Sequence, residues 1–144
     1  MQKYILIADD DEDDKLLFKE ALSEQKDIFI EEFDTGAGLY KKLLHMEQLP
    51  NLAFLDLNMP EMGGKACLLK IRENERLRSL PVVIYSTSST EKDIEETYKL
   101  GASLYVIKPN TFSELKRTLT KVTSINWDHF LPNKEKNNFV FKVF

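Results

Sequence analysis

The chain has 144 residues, a length that fits one domain with a sizeable core. Its composition, 42% hydrophobic and 31% charged, is that of an ordinary globular protein, and no apolar run approaches the roughly 20 residues of a membrane span. The net charge is −4 and the basic residues are scattered, so neither nucleic acid nor membrane is an expected partner.

The cysteine and histidine content limits the chemistry further. Cys67 is the single cysteine, which excludes an internal disulfide, and two histidines with one cysteine cannot complete a structural zinc site. The N-terminus does not resemble a secretory signal peptide. These features predict a cytoplasmic protein.

Short apolar runs alternate along the chain with segments of helical period. Strands are predicted at residues 1–8, 28–33, 51–58, 81–86 and 103–107. Helices are predicted at residues 13–25, 37–46, 65–72, 88–100 and 111–123. Five βα units in strict alternation predict an α/β fold, a parallel sheet with helices on both faces. The alternation stops after residue 123, so residues 1–123 are predicted to form the domain and residues 124–144 a C-terminal extension.

Three local patterns mark helix ends. The spacing of Ser88 and Glu91 predicts a capping box at the start of the fourth helix, and Gly101 is predicted to end that helix. Thr111 and Glu114 have the same spacing and predict the start of the last helix.

The polar residues that end the predicted strands are the candidates for function. The run "YILIADDDEDDKLLF" brings the first strand to Asp9 and Asp10, and the later strands end at Asp56, Ser86 and Lys108. In an open parallel sheet, ligands bind beyond the carboxyl ends of the strands. We therefore expect carboxylates, a hydroxyl and an ammonium group to share one crevice.

Carboxylates that are packed together repel one another unless a cation compensates their charge. Oxygen ligands of this kind suit Mg²⁺, so Asp9, Asp10 and Asp56 predict a magnesium site. The remaining acids of the run, residues 11–14, are predicted to lie at the solvated start of the first helix. There the helix dipole favours each negative charge by about 0.3–1 kcal/mol.

Three other readings of these acids fail. Asp9, Asp11, Asp13 and Glu20 occupy positions of a calcium-binding loop, but such a loop needs glycine where Asp14 stands. The first βα turn contains no glycine, which argues against a dinucleotide-binding enzyme or a P-loop enzyme.

A phosphatase with a nucleophilic aspartate is the third alternative, because "DLN" places a polar residue two positions after Asp56. That position must supply an acid and base in such enzymes, and Asn58 cannot do so.

With these residues assembled, the chain resembles the receiver domain of two-component response regulators over about residues 3–123. Four motifs carry the resemblance: "ILIADDDEDD", "FLDLNMPEMGG", "PVVIYSTSS" and "GASLYVIKPN". The resemblance implies a doubly wound, flavodoxin-like fold with five parallel strands in the order 2-1-3-4-5. It also implies a signalling protein rather than an enzyme, one that catalyses only its own phosphorylation and dephosphorylation.

The resemblance assigns roles to the candidate residues. Asp56 is implied to be the phosphoacceptor, with Lys108 and Ser86 contacting the phosphoryl group. The backbone carbonyl of Asn58 is implied to join Asp9, Asp10 and Asp56 as a Mg²⁺ ligand.

A switch is implied in which Tyr105 rotates inward as Ser86 moves toward the phosphoryl group. Thr87 is an alternative for the hydroxyl if the register shifts by one residue. The family usually has a cis peptide bond where Lys108 precedes Pro109 in this chain.

The expected partners are a histidine kinase or histidine phosphotransfer protein and an unknown downstream protein, with the chain acting as a stand-alone receiver, monomeric or weakly dimeric. The alternative is an adaptor that keeps the fold without being phosphorylated. The terminal "NNFVFKVF" is rich in residues that favour strands, so it is predicted to dock on its own domain or on a second copy, and the alternative is a mobile terminus. Phe139, Phe141 and Phe144 are expected to supply most of that contact.

Overall fold

A computed structural model describes residues 2–129 and 138–142 of the chain. One parallel sheet is built from β1 (Lys3–Ala8), β2 (Ile28–Phe33), β3 (Leu52–Leu55), β4 (Val82–Ser86) and β5 (Leu104–Ile107). Its strand order is β2-β1-β3-β4-β5. The strands are followed in turn by α1 (Glu12–Ala21), α2 (Gly36–His45), α3 (Gly64–Glu73), α4 (Glu91–Leu100) and α5 (Phe112–Ser124), and a short 3₁₀ helix spans Trp127–His129. The predicted fold class and strand order are confirmed.

The helices cover both faces of the sheet, which explains why β3 and β4 consist of buried residues throughout. Helices α1 and α5 pack on one face, and α2, α3 and α4 pack on the other. On the α1 and α5 face, the rings of Phe18, Phe54 and Tyr85 meet edge to face with centroids 4.9–6.0 Å apart. In the described part of the chain no helix has the length and apolar character needed to cross a membrane.

Helix α4 begins two residues later than the sequence predicts. The hydroxyl of Thr90, not that of Ser88, accepts the backbone N–H of Asp93 at 3.2 Å and caps the helix. The same spacing of hydroxyl and acid recurs at these two positions, so two capping signals compete. Ser88 instead donates its hydroxyl to the Asp93 carboxylate at 2.5 Å.

Other predicted boundaries differ by a few residues. Helix α1 ends at Ala21 rather than residue 25, because Ser23 donates its hydroxyl to the Glu20 carbonyl at 2.8 Å and the chain turns there. Strand β3 is shorter than predicted, because the N–H of Leu57 bonds the side chain of Asp56 at 2.8 Å and not a neighbouring strand. Gly101 ends α4 as predicted, with a left-handed φ of 95°.

Residues 138–142 lie along the outer edge of β5. Tyr105 donates its N–H to the carbonyl of Phe139 at 3.0 Å and accepts the N–H of Phe141 at 2.8 Å. These two bonds form a parallel bridge between Tyr105 and Val140. The contact expected of Phe144 falls outside the described residues.

We predict that Phe54→Ala will lower the free energy of unfolding by about 3–5 kcal/mol. Phe54 is fully buried and contacts two other rings, so its removal leaves a cavity that its neighbours cannot fill. Urea denaturation measures the change. Leu44→Ala is the control, because Leu44 is 47% exposed and its loss should cost far less. Equal losses for the two variants would contradict this description of the core.

Candidate functional site

The predicted site residues meet at the carboxyl edge of the sheet because their strands are neighbours in register. Asp56 donates its backbone N–H to the carbonyl of Ala8 at 3.0 Å, which joins the ends of β3 and β1. Lys108 donates its backbone N–H to the carbonyl of Ser86 at 2.8 Å, which joins the residue after β5 to the end of β4. Both strand pairs therefore deliver their polar termini to one crevice.

Three aspartates form a compact carboxylate cluster in this crevice. One oxygen from each of Asp9, Asp10 and Asp56 lies within 4.8 Å of the other two. Asp9 is fully buried and Asp56 nearly so, whereas Asp10 is exposed. Asp9 is held in place because its Oδ1 accepts the N–H of Asp11 at 3.0 Å. Such a set of hard oxygen donors, open to solvent on one side, fits a hydrated Mg²⁺ or Mn²⁺ ion.

The ammonium group of Lys108 lies against this cluster. Its Nζ is 2.8 Å from Asp9 Oδ2 and 3.7 Å from Asp56 Oδ2, and it stands 5.1 Å from the centroid of the Tyr85 ring. Burial by itself lowers the pKa of Lys108, but the hydrogen bonds that Lys108 donates to Asp14 and Asp9 outweigh burial, and its pKa is raised overall. Lys108 is therefore a permanent positive charge in the crevice.

Asp14 is a site residue that the sequence reasoning missed. Its Oδ2 accepts a hydrogen bond from Lys108 Nζ at 2.8 Å, whereas the sequence predicts for Asp14 only a place at the solvated start of α1. The spacing to Phe18 is the signal that could have placed it, because residues four apart share a helix face and Phe18 is buried. Among the described residues, the crevice therefore brings together the carboxyl groups of Asp9, Asp10, Asp14 and Asp56 and the ammonium group of Lys108.

Burial and the charge of Lys108 act in opposite directions on the pKa of Asp56. Burial raises the pKa of this carboxyl group to about 6, helped by the charge of Asp9 and opposed by Lys108 and by the N–H of Leu57. Asp56 is thus a carboxylate close to its titration range, ionised at neutral pH but poorly solvated.

The loop after Asp56 packs tightly because glycine occupies two positions. A Cβ atom at Gly64 would lie 2.3 Å from the carbonyl oxygen of Asp56, and one at Gly36 would lie 2.3 Å from the carbonyl oxygen of Met62. Gly36 also donates its N–H to Met62 at 3.0 Å. The starts of α3 and α2 can therefore approach the loop closely, and this fixes the direction in which Asp56 points.

The proposed switch residues lie beside the crevice. Ser86 is fully buried at the end of β4 while Thr87 is exposed, which supports Ser86 as the site hydroxyl. Tyr105 is fully buried and donates its hydroxyl to the carbonyl of Ser88 at 2.8 Å. Asn58 is exposed two residues after Asp56, and its carbonyl stays a predicted ligand.

The peptide bond before Pro109 differs from the family pattern. No cis peptide occurs within residues 2–129 or 138–142, so the Lys108–Pro109 bond is trans and the cis form implied by the resemblance is wrong here. The trans form is the lower in energy for most bonds of this type, by about 0.5–1 kcal/mol.

The order β2-β1-β3-β4-β5, with an acidic cluster, a lysine and a hydroxyl at one edge, defines the receiver class of flavodoxin-like domains. A family model described as the response regulator receiver domain matches residues 5–120, and the chain belongs to that family. Members of this family are signalling proteins, and receiver domains bind Mg²⁺ or Mn²⁺ in an acidic pocket.

Two curated relatives show how far the similarity extends. A probable methanogenesis regulatory protein of Methanothrix harundinacea, FilR2, is 39% identical over 74 residues, which are 51% of this chain and 48% of the relative. The match thus spans about half of that relative's length. The chemotaxis protein CheY1 of Helicobacter pylori is 27% identical over 122 residues, which are 85% of this chain and 98% of the relative.

Two solved structures of response regulators are similar to this chain over most of its length. The phosphorylated cyanobacterial phytochrome response regulator RcpA superimposes with a TM-score of 0.82 at 27% identity, covering 91% of this chain and 97% of that one. The Mn²⁺-bound form of response regulator Rcp1 gives a TM-score of 0.78 at 27% identity, covering 91% of this chain and 99% of that one.

We predict that Asp56→Asn will stabilise the fold at pH above about 6, by up to about 3 kcal/mol in metal-free buffer. The folded chain holds the Asp56 proton more tightly than the unfolded chain does, since the folded pKa is raised to about 6. The ionised carboxylate therefore lowers stability at neutral pH, and this cost disappears as the pH falls from about 6 to about 4.

Chemical denaturation across this pH range measures the difference between wild type and variant. Asp27→Asn is the control, because Asp27 is exposed at the opposite end of the sheet. An Asp56→Asn offset that does not change with pH would contradict the assignment.

Proposed function

We propose that this chain is a response regulator in which Asp56 accepts a phosphoryl group from a histidine kinase or histidine phosphotransfer protein. The observation that carries the proposal is the position of Asp56, nearly buried in a cluster with Asp9 and Asp10 and 3.7 Å from the ammonium of Lys108. A carboxylate held beside a cation and other metal-binding groups is placed to receive a phosphoryl group.

The reaction begins at the Asp56 carboxylate. Its Oδ1 accepts the N–H of Leu57 at 2.8 Å, which leaves Oδ2, on the side of Lys108, to attack phosphorus. An oxygen–phosphorus bond forms as the phosphorus–nitrogen bond of the donor histidine breaks, and the departing imidazole takes up a proton. At about pH 7, above the pKa of about 6, the carboxylate is mostly ionised and ready to attack.

Charge neutralisation is the main task of the surrounding residues, because phosphoryl transfer needs alignment and compensation of charge on the phosphoryl oxygens. Lys108 supplies one positive charge, and to do so it must share or release its 2.8 Å contact with Asp14. Mg²⁺, held by Asp9, Asp10 and Asp56 with the carbonyl of Asn58, would supply further positive charge.

The signal leaves the site through Ser86 and Tyr105. Ser86 would donate its hydroxyl to a phosphoryl oxygen. The loop after β4 would then move inward toward the phosphoryl group. Tyr105 is attached to that loop through Ser88, so movement of the loop would be passed to Tyr105 and would change the surface that a downstream protein binds. The chain is proposed to act as a monomer or weak homodimer.

We predict that the wild-type chain will gain one phosphoryl group when it is incubated with Mg²⁺ and a small phosphodonor such as acetyl phosphate, and that Asp56→Asn will gain none. The variant keeps the shape of the side chain but loses the nucleophile. Mass spectrometry of the intact protein measures the gain.

Asp27→Asn, at the far end of the sheet, is the matched control and should react like wild type. A phosphoryl mass on the Asp56→Asn chain would show that another residue is the acceptor. No gain by wild type would favour an adaptor that is not phosphorylated.

We also predict that the melting temperature will rise with Mg²⁺ concentration and that Asp10→Asn will blunt this rise. A ligand that binds only the folded state stabilises it by linkage, and Asp10 is the exposed member of the cluster. Thermal denaturation at several Mg²⁺ concentrations measures the effect. Asp13→Asn is the control, because Asp13 is exposed in the same acidic run and lies outside the cluster. Identical Mg²⁺ responses in the two variants would remove Asp10 from the metal site.

A further inference from the structure

The outer edge of β5 is covered by residues 138–142, and the contact centres on Tyr105. Both backbone hydrogen bonds of the bridge involve Tyr105, at 3.0 Å to Phe139 and 2.8 Å to Phe141. Phe139 is 2% exposed, and its ring centroid lies 5.2 Å from that of Tyr98 and 6.0 Å from that of Tyr105. Phe139 is thus a core residue supplied from outside the matched receiver region.

The two phenylalanines of this segment lie on opposite faces of the sheet. Phe139 packs in the hydrophobic cluster on the α2, α3 and α4 face, and Phe141 packs against the cluster on the α1 and α5 face. The segment therefore straddles the edge of β5 and is anchored on both sides of it. The backbone groups that Tyr105 presents at this edge are therefore already paired and cannot pair with another strand.

Tyr105 is connected on its other side to the candidate site. Its hydroxyl donates to the carbonyl of Ser88 at 2.8 Å, and the N–H of Ser88 donates to Ser86 Oγ at 3.1 Å. Ser86 is fully buried at the end of β4, the strand next to the one that ends at Asp56. A continuous chain of contacts thus runs from the crevice through Ser88 and Tyr105 to Phe139.

We propose that the β5 edge is a docking site for the chain's own segment of residues 138–142, and that docking there and phosphorylation of Asp56 favour each other. This inference rests on the proposed function of Asp56. It assigns the C-terminal segment a regulatory role, as the element that senses the state of the crevice.

The direction of the coupling follows from the hydrogen-bond roles. Ser86 Oγ accepts the N–H of Ser88 and is also hydrogen-bonded to the Tyr105 hydroxyl, so Ser86 links both groups directly to any phosphoryl oxygen to which it donates. Donation there strengthens the neighbouring bond and holds the Ser88 carbonyl where the Tyr105 hydroxyl meets it.

The buried position of the Tyr105 ring is also the one on which Phe139 packs. Two events that select the same conformation must show positive coupling, and the coupling is reciprocal.

Amide hydrogen exchange of the full chain, followed by NMR, tests the proposal. Beryllium fluoride with Mg²⁺ serves as a stable mimic of the phosphoryl group on Asp56. The mimic should raise the protection of the Phe141 and Tyr105 amides at least about fivefold, the lower end of common coupling factors. The amide of Asn51, which donates to the carbonyl of Tyr4 at 2.8 Å, is the internal control and should not change.

Reciprocity gives a second readout on the same chain. Phe139→Ala should weaken binding of the mimic, followed by fluorine NMR, by the same factor by which the mimic protects the Phe141 amide. Phe139→Leu keeps a large apolar side chain and should recover part of the affinity, which separates coupling from general damage to the fold. Phe29→Ala, at the opposite edge of the sheet and 55% exposed in wild type, should bind the mimic normally.

The outcomes distinguish this inference from the function on which it rests. If the mimic binds wild type but not Asp56→Asn, and neither protection nor affinity responds as described, the coupling is wrong and the proposed function stands. If the mimic fails to bind wild type, both are wrong. Protection of the Phe141 amide that grows with protein concentration would show that a second copy supplies the strand, which overturns docking within one chain.

Discussion

The site depends on the ion pairing of the Lys108 ammonium group with the buried aspartates of the crevice. Because β1, β3, β4 and β5 are parallel, their carboxyl ends deliver Asp9, Asp56 and Lys108 to the same edge of the sheet. Asp9 has no exposed surface, and a buried carboxylate without a cation is costly. Lys108 compensates Asp9 at 2.8 Å but stands farther from Asp56, at 3.7 Å. The negative charge of Asp9 is therefore well compensated, whereas that of Asp56, the proposed phosphoacceptor, is compensated only in part.

This imbalance links stability to the proposed function. Asp56 is buried enough to raise its pKa to about 6, so the folded chain accepts an energetic cost to keep it ionised. A divalent cation would relieve that cost, and a phosphoryl group would give Lys108 a new partner in place of Asp14. At the other end of the contact chain, Phe139 and Tyr105 form a packed aromatic pair at the edge of β5. The crevice and the packed edge are therefore connected through Ser86 at the end of β4 and Ser88 in the loop that follows.

Much of this arrangement could be predicted from the sequence because the strands are short apolar runs and each ends in a polar residue. Strict alternation predicted the parallel sheet, and the positions of Asp9, Asp10, Asp56 and Lys108 predicted which side chains would converge. Details set by competing local bonds could not be predicted. Ser88 and Thr90 both carry a capping signal at the start of α4, and only the folded chain shows that Thr90 is the N-cap. The role of Asp14 depends on the direction in which α1 leaves the sheet, which periodicity alone does not give.

Lys108 partly offsets the effect of burial on Asp56, and the pKa of the Asp56 carboxyl group measures this compensation most directly. Carbon NMR of selectively labelled aspartate, in metal-free buffer, can follow that titration in wild type and in Lys108→Met. The wild-type pKa should lie near 6, and it should rise in the variant because the compensating charge is lost while burial and the charge of Asp9 persist. An Asp56 pKa that is the same in both chains would contradict the account.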